Sequence, residues 1–238
     1  MKGGGQGRGS GRYVMKIGII VAMEKELKQL RSILIDVKEE TIHGKVFLLG
    51  SVGGKDVVVQ QCGIGKVNST IGAVEMINNY APDYVVSSGV AGGATVSVPR
   101  LEVVASTETV YHDVYCGSEC EAGQVLGMPA RFKCDERLVE VASTIKGVHP
   151  GLIVSGDWFV DTKGKMGAIL DLFPEAKAVD MESCSIAQVC HVYGVPFISF
   201  RVISDIPLDD TKGSQYFDFW DKVASESFAV TKEFIGKI

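Results

Sequence analysis

The feature that most restricts how this chain can fold is an alternation of short β-branched runs with segments of helical period, repeated from Met15 to the C-terminus. KIGIIVA (16–22) reads as a strand, and MEKELKQLRSIL behind it places Met23, Leu27, Leu30 and Leu34 at helical spacing. VFLLGSV and DVVVQQC flank Gly53-Gly54, a hairpin signal, and a helix is expected from about Val67 to Tyr80, before Pro82. DYVVSSG is a further buried strand that runs into the glycine-rich turn GVAGG. From Val103 to Phe132 the chain is strand-like and then loop-rich; GLIVSGD is a strand between helices at Asp135 to Ile145 and Lys163 to Leu172. MESCSIAQVCHVYG has a helical pattern closed by Gly194 and Pro196, FISFRVI is a fully buried strand, and Phe219 to Ile235 reads as a last amphipathic helix.

Strands alternating with helices, plus one early hairpin, predict a three-layer α/β/α domain around a central mixed sheet. At 238 residues, 46% hydrophobic, the chain can bury a large core, and one domain over 15–238 is expected. Residues 1–14, MKGGGQGRGSGRYV, carry six glycines and no apolar periodicity; they read as a disordered upstream-start extension or a cloning scar. Leaving out Lys2, Arg8 and Arg12 takes the formal charge from −5 to −8, which argues against a nucleic-acid groove built on phosphate contacts. With no apolar run of membrane-spanning length and no signal-peptide pattern, no membrane association is expected, and the location is expected to be cytoplasmic.

The six cysteines read as buried thiols rather than a disulfide framework. His112, Cys116 and Cys120 have ligand-like spacing, but Gly117 and Ser118 spoil the helix that would align them and no CxxC completes a site, so no metal is expected. GVAGG is not the dinucleotide fingerprint, and CGIGKV lacks the spacing of a phosphate loop, so no nucleotide cofactor is expected.

In open α/β sheets, ligands bind beyond the carboxyl ends of strands. Those ends give Met23-Glu24-Lys25-Glu26, Gly89 to Gly93, Ser155-Gly156-Asp157, Asp180-Met181-Glu182 and Ser204-Asp205. Carboxylates recur at four of the five. Each alone has a structural reading: Glu26 as a first-turn residue favoured by the helix dipole, Asp205 or Glu182 as an N-cap. The small residues Ala91, Gly92 and Gly93 either let backbone approach a flat ligand or make a tight turn.

GIIVAMEKEL, CGIGKVNS, SSGVAGG, VYHD, GQVLGMPARFKCD, SGDWFV, VDMES and RVISD, in this order and spacing, resemble the purine nucleoside phosphorylase/uridine phosphorylase superfamily, and most closely its 5′-methylthioadenosine/S-adenosylhomocysteine nucleosidase branch. The resemblance runs from Met15 to the C-terminus. It implies a nucleoside phosphorylase-like fold, a homodimer, a small-molecule nucleoside substrate and no cofactor. Position by position it makes Glu26 the base that activates water at the anomeric carbon and Asp205 the acid facing N7 of adenine. Glu182, with the Met181 backbone, would hold the ribose hydroxyls, and Arg201 would help place the water. Phe159 would stack on the base, the Val160 main chain would read its edge, and Ser204 would steady Asp205. Gly92 would lie against the ligand, and Ile64 and Phe217 would line the pocket of the 5′ group.

The chemistry fits these residue types. Cleavage of a C1′–N9 bond develops oxocarbenium-like charge on the ribose and negative charge on the purine, so an acid is needed on one side and a base with water on the other. Asp205 must hold a proton near neutrality, which requires burial or the N7 hydrogen bond, whereas Glu26 must stay ionised until it accepts one. The resemblance also bears on the nucleophile: superfamily phosphorylases place arginines in the N-terminal loop and after the glycine turn, while here those loops read VAMEKE and GVAGGAT. Two departures stand out. Val90 occupies a position that is often a serine orienting the water, and YCGSECEAGQ lacks the aromatics that reach a neighbouring subunit's 5′ pocket. The alternatives are a futalosine or aminofutalosine hydrolase, a purine nucleoside phosphorylase, and a non-catalytic nucleoside-binding domain.

Overall fold

The computed structural model describes residues 14–208, 219 and 228–238, and its strands β1 and β4 are buried on both faces. The elements are β1 (Lys16–Val21), α1 (Glu24–Arg31), β2 (Ile35–Ile42), β3 (Lys45–Val52), β4 (Lys55–Gln61), α2 (Lys66–Tyr80), β5 (Tyr84–Gly93), β6 (Val103–Tyr111), β7 (Phe132–Lys133), α3 (Glu136–Ser143), β8 (Val148–Ser155), α4 (Lys163–Leu172), β9 (Ala176–Asp180), α5 (Ser183–Tyr193), β10 (Phe197–Asp205) and α6 (Ala229–Lys237). Ile17, Ile19, Val57 and Val59 face one apolar layer and Ile20 and Val58 the other, because successive strand side chains point to opposite faces. The first layer packs on Leu27 and Leu30 of α1, Leu138 of α3 and Phe234 of α6. The second packs on Ala73 and Met76 of α2 and Cys184, Ile186 and Cys190 of α5. The three-layer α/β/α architecture expected from the sequence is the one observed.

The sheet runs β2-β3-β4-β1-β5-β9-β8-β6-β10, and β10 also pairs with β5. Five strands therefore close into a small barrel, while β1, β4, β3 and β2 extend from it as a wing. Closure depends on β5, ten residues long, which lies parallel to β1 along Tyr84–Ser87 and then meets antiparallel β9 at Gly92 and Gly93. A Cβ on Gly92 would sit 3.2 Å from both Val179 Cγ1 and the Pro207 ring, so the bare backbone is what lets the strands converge. Opposite this point β10 bulges between Ile203 and Asp205, taking Ser204 out of the ladder and re-aiming the strand end.

The Gly53-Gly54 hairpin joins β3 to β4, with both glycines at positive φ as a two-residue turn requires. Strands β2 and β7 were not anticipated: β2 (IDVKEETI) is largely exposed and charged, a sheet edge with little apolar signal, and β7 is only two residues long, whereas β9 is the strand whose end at Asp180 the sequence had marked. The last helix is seen as Ala229–Lys237, with Phe219 also helical. The expectations for residues 1–13 and for Phe217 lie outside the described residues.

Candidate active site

At the carboxyl ends of β1, β5, β9 and β10 lies a cleft of about 650 Å³, counted out to its open mouth. Glu26, Asp180, Glu182 and Asp205 line it. Ile64, Trp158, Phe159 and Val160 form an apolar wall, and Ala91 and Gly92 bring backbone to its floor. Of the residues assigned from the sequence, Ile64, Gly92, Phe159, Val160, Met181, Glu182, Ser204, Asp205 and Glu26 therefore converge. Arg201 is only 2% exposed and stands behind the cleft rather than in its lining. Among the described lining residues none is lysine or arginine.

Glu26 shows how a local rule builds a site. It is the third residue of α1, and its carboxylate turns back so that Oε2 accepts from the amides of Ala22 and Met23, both at 2.9 Å. This is the carboxylate half of a capping box. Oε1 accepts from the Val90 amide at 3.1 Å, tying the helix start to β5. The first-turn reading and the site reading of Glu26 thus describe one geometry. Burial pushes its carboxyl above the ordinary value, opposed by Arg201 and by the three amides. Val90 contributes its main-chain amide rather than a side-chain hydroxyl.

Glu182 occupies the N-cap position of α5 but caps nothing with its side chain. Its Oε1 reaches across to the Gly65 amide at 2.9 Å, and Oε2 lies 3.8 Å from Arg201 Nη2. Gly65 has φ 92°, and a Cβ there would fall 2.9 Å from Asp157 Oδ1, so a residue without a side chain presents this amide. Burial raises the Glu182 carboxyl to about 7; Arg201 opposes the rise and Asp180 adds to it.

Arg201 on β10 is held by Asp180 through Nε, at 2.5 Å, and by the Ser87 hydroxyl through Nη2, at 2.8 Å. Burial works against its charge, but Asp180, Glu182 and Glu26 together keep its pKa above the ordinary value. The packing around it is tight: a Cβ on Gly89 would lie 2.5 Å from Arg201 Nη1 and 2.6 Å from Glu26 Oε1. At the other wall the Ser204 hydroxyl donates to Asp205 Oδ1 at 2.7 Å, and Arg100 Nε holds the Ser204 carbonyl at 2.9 Å. The bulge in β10 thus turns Asp205 into the cleft with its hydroxyl anchor beside it.

Several of these contributions were given no role in the sequence: Ser87 and Gly89 in SSGVAGG, Ser155 in SGDWFV and Ser183 in VDMES lie inside the quoted motifs without an assignment, and Gly65 in CGIGKVNS acts through its main chain. Trp158 adjoins SGD at a strand end, and that position is the signal for its place in the wall. Its ring lies 5.3 Å from that of His112, a buried side chain whose lowered pKa comes from burial.

A closing mixed sheet whose strand ends gather carboxylates around an apolar slot is an α/β arrangement suited to acid–base work on a small ligand. The comparisons make this specific. The family description "Phosphorylase superfamily" matches residues 16–236, and the chain belongs to that family. It is 40% identical over 219 residues to a 5′-methylthioadenosine/S-adenosylhomocysteine nucleosidase of Actinobacillus succinogenes, covering 90% of this chain and 95% of that one. A nucleosidase with the same description from Anoxybacillus flavithermus is 37% identical over 231 residues, covering 94% and 99%. Among solved structures, the Neisseria meningitidis nucleosidase in complex with methylthio-immucillin-A superposes with a TM-score of 0.89 at 35% identity, covering 94% of this chain and 100% of that one. The futalosine hydrolase of Helicobacter pylori gives 0.87 at 30% identity, covering 94% and 99%.

Proposed function

We propose that this protein hydrolyses the N-ribosidic bond of 5′-methylthioadenosine and S-adenosylhomocysteine, releasing adenine and the 5-thioribose product. Adenine lies between Phe159 and the Ala91-Gly92 backbone, its edge read by the Val160 main chain. Asp205, steadied by Ser204, protonates N7 as the bond breaks. Glu26 takes a proton from water at the opposite face of C1′: Oε2 already accepts two amides and Oε1 only one, so Oε1 retains a lone pair for that water. Glu182 accepts the ribose hydroxyls beside the Met181 backbone, and its charge stabilises the oxocarbenium-like sugar. Ile64 and Phe217 are assigned to the 5′ group.

The observation that carries this reading is the lining itself: carboxylates face the cleft, and among the described residues no cation does. A phosphate dianion would meet those carboxylates without a partner, whereas water needs only a base. The reading takes a cytoplasmic homodimer as the working form. Ile64 at the cleft and Val67 and Ile71 on α2 are exposed apolar side chains that a second copy would cover.

The test is a panel of methylthioadenosine, S-adenosylhomocysteine, adenosine, inosine and aminofutalosine, each with and without phosphate, with base and sugar products identified. Adenine and free thioribose from the thionucleosides, at a rate indifferent to phosphate, are expected. Turnover confined to aminofutalosine would move the protein to the neighbouring activity, and adenine release from no substrate would refute the reading.

A further inference from the structure

Asp180 ends β9 and lines the cleft, yet its oxygens are occupied by the protein. Oδ1 accepts from the Ser155 hydroxyl at 2.5 Å and is 3.3 Å from the Ser183 amide. Oδ2 accepts from the Ser183 hydroxyl and from Arg201 Nε and lies 3.2 Å from the same amide. A carboxylate offers about four lone-pair sites, so a ribose hydroxyl could bind here only by displacing a protein donor. Glu182, two residues on, accepts only from Gly65 at hydrogen-bonding distance among the described residues. The two carboxylates of the VDMES run therefore have different work to do.

We infer that Asp180 is a positioning residue: it anchors Arg201 through Nε and fixes the guanidinium behind Glu26 and Glu182, so that one buried cation serves both cleft-facing carboxylates. The inference rests on the nucleosidase reading for its effect on rate, but not for its geometry. Ser87 on β5 pins the other end of the guanidinium, and Gly89 leaves room for Nη1. Ser155 on β8 is itself fixed by accepting from the Cys184 amide, so β5, β8, β9, β10 and α5 all bear on one arginine.

The groups facing Glu182 are Arg201 on β10, Asp180 on β9, Glu26 on α1, the Gly65 amide before α2, and the buried thiol of Cys62, a residue whose main-chain carbonyl accepts from Lys45 Nζ. Three buried carboxylates share one buried guanidinium, so the cluster is short of positive charge. Asp180 takes the nearest share of the arginine and repels Glu182 as well. Removing its charge leaves Arg201 to the other two, and Glu182 then ionises at lower pH.

The experiment compares wild type with Asp180→Asn by two readouts. Carboxyl ¹³C NMR titration of Glu182, assigned with Glu182→Gln, needs no substrate; adenine release across pH gives kcat and KM. The Glu182 midpoint, which burial raises above the ordinary carboxyl value in the wild type, is expected to fall by roughly one pH unit or more in Asp180→Asn, with the acid limb of kcat/KM moving alongside it. Plateau kcat is expected to fall about tenfold, with KM changed less. A folded Asp180→Asn protein with an unmoved midpoint overturns the inference. Wild type that releases no adenine overturns the functional reading instead, while the titration still decides the role of Asp180. Should Asp180→Asn fail to fold, Ser183→Ala keeps every charge and removes the hydroxyl that donates to Asp180 and accepts from Arg201 Nε at 3.2 Å, the second link between Asp180 and the guanidinium. It is expected to lower kcat about tenfold with KM within about threefold, and a wild-type kcat there overturns the inference.

Discussion

Replacing Gly89 by alanine would place a methyl group 2.5 Å from Arg201 Nη1 and 2.6 Å from Glu26 Oε1. Ordinary contact begins about 1 Å further out, so one or both neighbours must move. Neither moves cheaply. Arg201 and Glu26 are each 2% exposed; one is held by Asp180 and Ser87, the other by three backbone amides. Gly89 is not among the glycines at positive φ, so the change is steric and not conformational. Overpacking of this kind costs about 1–3 kcal/mol, which for a chain of this size lowers Tm by roughly 2–12 °C. The catalytic effect should be larger, because a displacement of about 1 Å in the base costs on the order of 100-fold in rate. Adenine release and thermal unfolding, measured together, read both. Gly18→Ala is the comparison: its Cβ would lie 2.9 Å from Met76 Sδ, away from the cleft, so it should spare kcat more than Gly89→Ala does. Gly89→Ala with wild-type kcat and Tm would refute the packing argument.

Other consequences follow from individual groups. The Glu182 carboxyl is raised from 4.5 to about 7 in the folded protein, so its contribution to stability is complete below the lower value and is lost as pH rises through the upper one. Glu182→Gln should therefore gain on wild type as pH rises from about 5 to about 8; a Tm difference that does not vary with pH would contradict this. Asp205→Asn should lower kcat by about 10²- to 10⁴-fold with KM little changed, as judged by initial rates, and wild-type turnover would remove it from the mechanism. Ser204→Ala deletes the 2.7 Å donor to Asp205 and should cost about tenfold in kcat.

The sequence made the layered α/β architecture and the strand ends legible because both follow from local periodicity. KIGIIVA and FISFRVI announce buried strands, and the Gly53-Gly54 turn announces a hairpin. Strand β2 was not legible, since a charged, exposed edge leaves no apolar alternation to read. Barrel closure was hidden for a different reason: it depends on β10 pairing with both β5 and β6, contacts between residues distant in the chain. Within the site, Glu26, Glu182 and Asp205 could be named because each lies where a strand hands over to a helix or loop. The placement of Arg201 behind the carboxylates could not, since it is set by Asp180, Ser87 and the space at Gly89, and a buried arginine on a strand has the same sequence signature whichever way it points.

The measurement closest to the central claim is adenine release from methylthioadenosine in phosphate-free buffer by wild type and by Glu26→Gln, with substrate binding followed separately. Wild type is expected to turn over without phosphate and to yield free methylthioribose. Glu26→Gln keeps the shape and loses the base, so it should still bind the nucleoside but release adenine at least about 100-fold more slowly. Wild-type turnover that requires phosphate, or undiminished turnover by Glu26→Gln, would contradict the assignment of water as the nucleophile and Glu26 as its base.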